Sequence, residues 1–475
     1  MSTNKQVKIH PTSGKPEIVG VRAAQSECLD HSPCRLRFGF WTTMALLSLA
    51  LTSSICAAQA GGQIKKPSAA FRLLYGFTGA GDGYLPFGGL AFDKNGALYG
   101  TNFFGGTVNN SCPVGCGTVF QLLPTTNGPW TQNTLHSFAG YPSDVGHSYA
   151  HVTFGTKGNL FGTAGDGGKN LCFADSCGGI FELSFANGVW QESVIYNFDK
   201  HSGETPYSGM TLYKGVLYGT TWFGPQKKGN VGYGTVFALT RGTNGQWKHK
   251  IVHAFDISTD GYEPYADLFI DNRAGKCCHG NLYGSTQVGG PQGEGNTFKL
   301  LPGSDGTWSE KLLYPSGTST LTMDSKGTLY GTIGGGGSSN CEGGCGTVFK
   351  LQVVPGKGWQ LSTLYEFQGG NDGYAPDAGL VFDAAGNLYG TTFLGGNDSC
   401  QFYQYSGCGT VFQLIPAGNG TWNKTTLYYF TGGDDGEFPS DGTLILDNAG
   451  RLYGTTLGGA TYGSSGYGTV YQITP

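Results

Sequence analysis

Three histidines fall within residues 144–204, His147, His151 and His201, with the carboxylates Asp144, Asp166 and Glu204 nearby in sequence. Imidazole beside carboxylate takes or gives a proton near neutral pH, so His147, His201, Asp166 and Glu204 are candidate acids and bases for a lyase or hydrolase. A second acidic group, Asp434, Asp435, Glu437 and Asp441, offers oxygen ligands of the kind calcium takes, without the spaced Asp-x-Asp-x-Asp-Gly run and closing Glu of an EF-hand loop. Aspartate before glycine, as at Asp82, Asp260, Asp372 and Asp435, also builds turns capped by its own side chain, and that reading comes first. A third group is aromatic: Phe103, Phe104, Trp222, Phe223, Phe402, Tyr403 and Tyr405. Flat rings of this kind bind sugar rings and polymer surfaces, or else cover seams between packed sheets. No nucleophile elbow, phosphate loop, Cys/His zinc motif or dinucleotide fingerprint occurs, so beyond the calcium option no cofactor is expected.

What positions these residues is a tandem repeat. Leu-Tyr-Gly-Thr stands at Leu98, Leu217, Leu329, Leu388 and Leu452, with close variants at Leu160 and Leu282. Each is followed by Gly-Thr-Val-Phe or a relative, beginning at Gly117, Gly178, Gly234, Gly295, Gly346, Gly409 and Gly468. Short alternating apolar runs between Gly-rich turns read as four strands per repeat, and such a sheet must stack on its neighbours to bury both faces. The first three strands occur seven times. The fourth, led by tryptophan, follows only six of them, at Trp130, Trp190, Trp247, Trp308, Trp359 and Trp422. The missing strand is found near the other end, at Phe71–Phe77. The pattern predicts an all-β, seven-bladed β-propeller over 71–475, four antiparallel strands per blade, closed when the N-terminal strand pairs with the last blade and removes an open edge. Loops joining second to third strands then share a face with the Asp-Gly loops between blades, and that longer, variable face is where a ligand site is expected.

Charged residues make up 13% of the chain and the net charge is −4, which excludes a basic nucleic-acid binder. Arg35 and Arg37 precede an apolar run, Phe38–Ala58, and Ala58-Gln59-Ala60 then supplies a signal-peptidase pattern. Residues 1–60 therefore read as a signal peptide or N-terminal membrane segment, and 61–70 as a linker. Cysteine pairs recur at one place in four repeats: Cys112/Cys116, Cys172/Cys177, Cys341/Cys345 and Cys400/Cys408. Short disulfides in an oxidising compartment are the plain reading, since a structural zinc site needs four ligands and no recurrent partner motif exists. Cys277 and Cys278, followed by His279, depart from the pattern and receive no assignment.

The phrases Gly-Leu-x-Phe-Asp, Gly-Asn-Leu-Tyr-Gly-Thr-Thr, Gly-Gly and Gly-Thr-Val-Phe, as they stand in 379–412, resemble the Gloeo/Verruco (GloVer) tandem-repeat family of exported bacterial proteins. The resemblance runs from about residue 71 to 475. It implies an extracellular or surface protein, carries no catalytic residues across, and includes a C-terminal sorting anchor in some members that is not expected here, because the last repeat ends on a strand. The expectation is a secreted or cell-envelope binding or structural module, monomeric, with a glycan or envelope polymer as partner. The alternative is a secreted carbohydrate-active or lyase-type enzyme using the loop-rich face of repeats two and three.

Overall fold

The computed structural model describes residues 69–475 except 80, 127, 173–175, 228–229, 272, 274–279, 440–441 and 461–465. The expected signal segment, Cys277, Cys278 and Asp441 lie outside the described residues. Among the described residues there is no α-helix, and no helix long and apolar enough to cross a membrane.

Seven antiparallel sheets form a seven-bladed β-propeller with four strands per blade. Blade six is typical: Val381–Phe382 innermost, then Leu388–Thr392, Thr410–Pro416 and, outermost, Trp422–Tyr429. The ring closes as expected. Ala70–Gly76 pairs antiparallel with Thr469–Thr474, Leu73 opposite Tyr471 and Gly76 opposite Thr469, so the N-terminal strand is the outer strand of blade seven.

The repeated phrase is a joint, and each letter has a task. Leucine is fully buried in every blade. Glycine lies directly across from the phenylalanine of Gly-Thr-Val-Phe, as in Gly390 opposite Phe412 and Gly331 opposite Phe349. A Cβ on Gly390 would stand 2.7 Å from the Phe412 ring. No larger residue fits there without displacing a ring that is wholly removed from water. The tyrosine ring turns edge-on to the next blade: Tyr330 lies 5.0 Å from Phe382 and 6.3 Å from Trp422, and Tyr99 stands in the same relation to Phe154 and Trp190. The threonine hydroxyl donates to a backbone carbonyl of the next blade, as in Thr101 to Ala150 at 2.7 Å and Thr332 to Ala378 at 2.9 Å. The recurring residues are thus occupied in seams, and anything that distinguishes one blade from another must come from residues that break the repeat.

Candidate functional site at the loop-rich mouth

The four expected cysteine pairs stand at disulfide distance, with Cα–Cα separations of 5.3, 5.1, 5.0 and 4.9 Å in chain order. They sit beside the loops that link blades. A Cβ on Gly369 would meet Cys341 Sγ at 2.7 Å, and one on Gly140 would meet Cys112 Sγ at 2.8 Å. The two loop classes therefore share a face.

On that face most linking loops are held by an aspartate, and the loop before blade three by Ser202, whose hydroxyl accepts from the Asp199 amide. Asp435 accepts hydrogen bonds from the Tyr428 hydroxyl at 2.9 Å, from the Thr431 amide and from the Thr431 hydroxyl. Asp82 and Asp372 are used in the same way by Tyr75 and Tyr365. These carboxylates cap turns. Asp434, beside Asp435, is exposed.

Three residues after that aspartate, or after Ser202 in the loop before blade three, the chain enters the left-handed region at a residue other than glycine in six blades: Leu85, His147, Thr205, Glu263, Ala375 and Phe438, with φ of 57, 55, 57, 59, 54 and 56°. A conformation costing roughly 1 kcal/mol persists only where its surroundings hold it. Here they do so on both sides. The His147, Thr205, Ala375 and Phe438 amides donate to Cys116, Cys177, Cys345 and Cys408 carbonyls of the preceding blade. The Leu85, His147, Thr205 and Ala375 carbonyls accept from their own blade. The backbone is fixed, and the side chains are free to differ from blade to blade.

Two residues further on, just before the inner strand, stand Phe87, Tyr149, Tyr207 and Tyr265 in four successive blades. They line the mouth of the axial channel because the inner strands begin on this face. Their rings form a continuous arc. Phe103 lies 4.4 Å from both Phe104 and Tyr149, Tyr149 lies 4.3 Å from Tyr207, Tyr207 lies 5.1 Å from Trp222, and Trp222 lies 5.9 Å from Tyr265. On the other side, Phe402, Phe393 and Phe438 belong to the same apolar cluster as Phe87 and Phe103. Tyr149, Tyr207, Trp222 and Tyr265 are half-buried.

Polar groups are set into this arc. His147 Nδ1 lies 3.0 Å from Asp166 Oδ2, with Phe103 and Phe104 against the ring. Burial, then Tyr149 and the Asp166 carboxylate, hold the Tyr207 hydroxyl well above its ordinary pKa. Burial pushes Glu263 up to about 7, against a hydrogen bond from Trp222 that favours its ionised form. Deeper in, His151 and Asp267 form an ion pair at 3.4 Å. An arrangement of half-buried rings with a few fixed polar groups is suited to sugars, whose C–H faces stack on aromatics while their hydroxyls find partners.

The structure therefore brings together Phe103, Phe104, His147, Asp166 and Trp222. Phe223 joins only through its backbone, paired with Glu204. Glu204 is buried. His201 is exposed, and its amide donates to Asp199 without reaching His147. Tyr403 is 60% exposed, covering Phe402, and Tyr405 packs on Tyr374. Sequence reasoning missed Tyr149, Tyr207, Tyr265 and Glu263. Aligning the repeats on Asp82, Asp144, Ser202 and Asp260 places the three tyrosines and Phe87 in one column, five residues on, and that column is the signal in the sequence.

A sequence profile described as the Gloeobacter/Verrucomicrobia repeat matches residues 51–298 and 273–475. No curated protein matches. Among solved structures, a fungal alcohol oxidase of the AA5 family in complex with copper aligns with TM-score 0.51 and 13% identity, covering 86% of this chain and 77% of the other. An oxidoreductase from Thermus thermophilus, described as a glucose dehydrogenase, aligns with TM-score 0.40 and 14% identity, covering 86% of this chain and all of the other. The likeness to the alcohol oxidase speaks to the fold alone.

Proposed function

This chain belongs to the Gloeobacter/Verrucomicrobia repeat family, and on that premise we propose that it is an exported propeller module that binds a glycan at the mouth of its loop-rich face. The observation that carries the reading is the arc of half-buried rings from Phe104 through Tyr149 and Tyr207 to Trp222 and Tyr265, with His147, Asp166 and Glu263 set among them. The symmetric residues close seams; the arc is confined to part of the ring, as a single binding site would be. Export is supported by the apolar segment ending in Ala58-Gln59-Ala60 and by four cysteine pairs at disulfide distance, because such bonds persist in oxidising compartments. A glycan array probed with the purified protein tests the binding, followed by titration of the best ligand against Trp222→Ala and Tyr207→Ala. Losses of about tenfold or more are expected for rings at the centre of a site. Unchanged affinity in both variants would remove the mouth as the site.

A second reading has its own observation. His147 is oriented by Asp166 and lies in a cluster with Tyr207, which is the geometry of a base that abstracts a proton from a bound uronate or similar sugar. It predicts new unsaturated ends on an acidic polysaccharide, lost in His147→Ala while binding persists. A product yield equal in wild type and His147→Ala would end it.

A further inference from the structure

Each seam between blades carries, on its outer side, the same three positions. They are a residue near the end of one outer strand, a residue of the loop that follows, which is an aspartate at five seams, and a residue on the outer strand of the next blade. At the seam of blades five and six these are Tyr365, Asp372 and Lys424. The Lys424 ammonium lies 2.8 Å from Asp372 Oδ1 and also donates to the Asp372 carbonyl and the Thr426 hydroxyl, with only 5% of its side chain exposed. A buried cation therefore sits against the loop carboxylate, and the charges cancel.

Two other seams change two of the three positions together. At blades one and two they are His136, Asp144 and Glu192; at blades three and four, His253, Asp260 and Glu310. The register places Glu192 opposite Leu183 and Glu310 opposite Leu300, as Lys424 stands opposite Leu414. Tyrosine has become histidine wherever lysine has become glutamate. Among the described residues the other four seams hold no such set: His249 stacks on Tyr196 at 4.5 Å, Phe71 stacks on Tyr428 at 4.4 Å, Leu361 packs in the core of its seam, and Gln132 takes the position opposite Leu122.

We propose that each of these two seams binds one divalent transition-metal ion, zinc foremost, through the histidine Nε2, the loop aspartate and the glutamate of the next blade. One ligand atom from each of the three residues lies within 4.8 Å of the other two at both seams. His136 Nε2 is 2.9 Å from Asp144 Oδ2, His253 Nε2 is 2.6 Å from Asp260 Oδ2, and Glu310 Oε2 is 3.8 Å from His253 Nε2. A small outward adjustment yields the spacing of about 3.3 Å between ligands that follows from tetrahedral bonds of about 2.0 Å.

A second, independent feature points to a ligand. Among the described residues Glu192 Oε1 and Glu310 Oε1 are buried and find no hydrogen-bond donor, the Glu310 carboxyl being in hydrogen-bond reach of the Asp260 carboxyl alone, and a buried oxygen without a donor is costly. The charge count agrees with it. With both carboxylates ionised each set would carry −2, which a divalent cation would balance as the Lys424 ammonium balances Asp372. One nitrogen and two oxygens suit zinc or manganese better than calcium, which takes oxygen alone. These ions would tie the outer strands of neighbouring blades together, as Lys424 does, at a distance from the aromatic mouth.

The test is calorimetric titration of the full-length protein, stripped by chelator, with zinc chloride and separately manganese chloride above neutral pH. Two saturable equivalents per chain and a raised Tm are expected. Glu192→Gln and Glu310→Gln should each remove one equivalent, and the double variant both. Melting without metal checks that the variants fold. Tyr365→His combined with Lys424→Glu should add a third equivalent, a gain that misfolding cannot imitate. Manganese binding without zinc would support the sites and replace the ion. No saturable binding of either ion, or two equivalents that survive both glutamine substitutions, would overturn the proposal.

Discussion

His151 of blade two reaches Asp267 of blade four, Nδ1 to Oδ2 at 3.4 Å, across Gly209 of the blade between them. A Cβ on Gly209 would stand 2.6 Å from His151 Nδ1 and 2.8 Å from Asp267 Oδ1, so the pair exists because the intervening blade contributes no side chain there. Protein surrounds both groups, yet 29% and 27% of their side-chain surfaces stay open to water, as befits residues at the wall of a channel.

Burial alone would lower the His151 pKa, but Asp267 outweighs it and the net direction is up; burial would raise Asp267, but His151 and the Gly209 amide bring it down. The histidine's contribution to stability is complete below its unfolded pKa of about 6.5 and is lost as pH rises through its raised folded value. The aspartate's is complete above its unfolded pKa of about 3.9 and is lost as pH falls through its depressed folded value. Denaturation of wild type and His151→Gln across pH should therefore show the largest difference in Tm between these two limits. A difference that grows above neutrality would contradict the pairing.

Glu263 should report on Trp222. With its carboxyl pushed up to about 7 by burial and bonded by the indole of Trp222, ionisation near neutrality changes the field at that ring. Tryptophan emission is expected to titrate with a midpoint near 7 and to lose that step in Glu263→Gln. The same step persisting in the variant would assign it elsewhere.

Gly390→Ala should be destabilising by about 1–3 kcal/mol, the usual penalty of overpacking, because the new Cβ would meet the fully buried Phe412 ring at 2.7 Å. Gly386→Ala meets no neighbour within 4 Å, but its φ of 86° is unfavourable for alanine, so a smaller loss of about 1 kcal/mol is expected. Urea denaturation of the two variants separates packing from backbone strain. Equal losses would show that the Gly390–Phe412 contact relaxes without penalty.

Replacing Cys341 and Cys345 together by alanine should lower stability by about 2 kcal/mol, the entropy of closing so short a loop. The blade itself should survive, because its strands are held by ladder pairing and not by the bridge. Far-ultraviolet circular dichroism indistinguishable from wild type, with a lower denaturation midpoint, is the expected pair of results.

The sequence by itself determined the number of blades, the closure and the cysteine pairing. These depend on local repetition. Leu388, Gly390 and Phe412 have counterparts in every repeat, and the surplus strand at Phe71 balances the missing one. Only the tertiary structure decided which symmetry-breaking residues meet. His147 and Asp166 are nineteen residues apart and touch; Asp267 faces His151 from two blades away; Glu192 and Glu310 join histidines of the preceding blade. The physical reason is that a propeller brings residues together by the angle between blades and by the short left-handed link at residues such as His147 and Glu263. Neither leaves a periodic trace along the chain, so contacts across the mouth and the seams become visible only once the ring is closed.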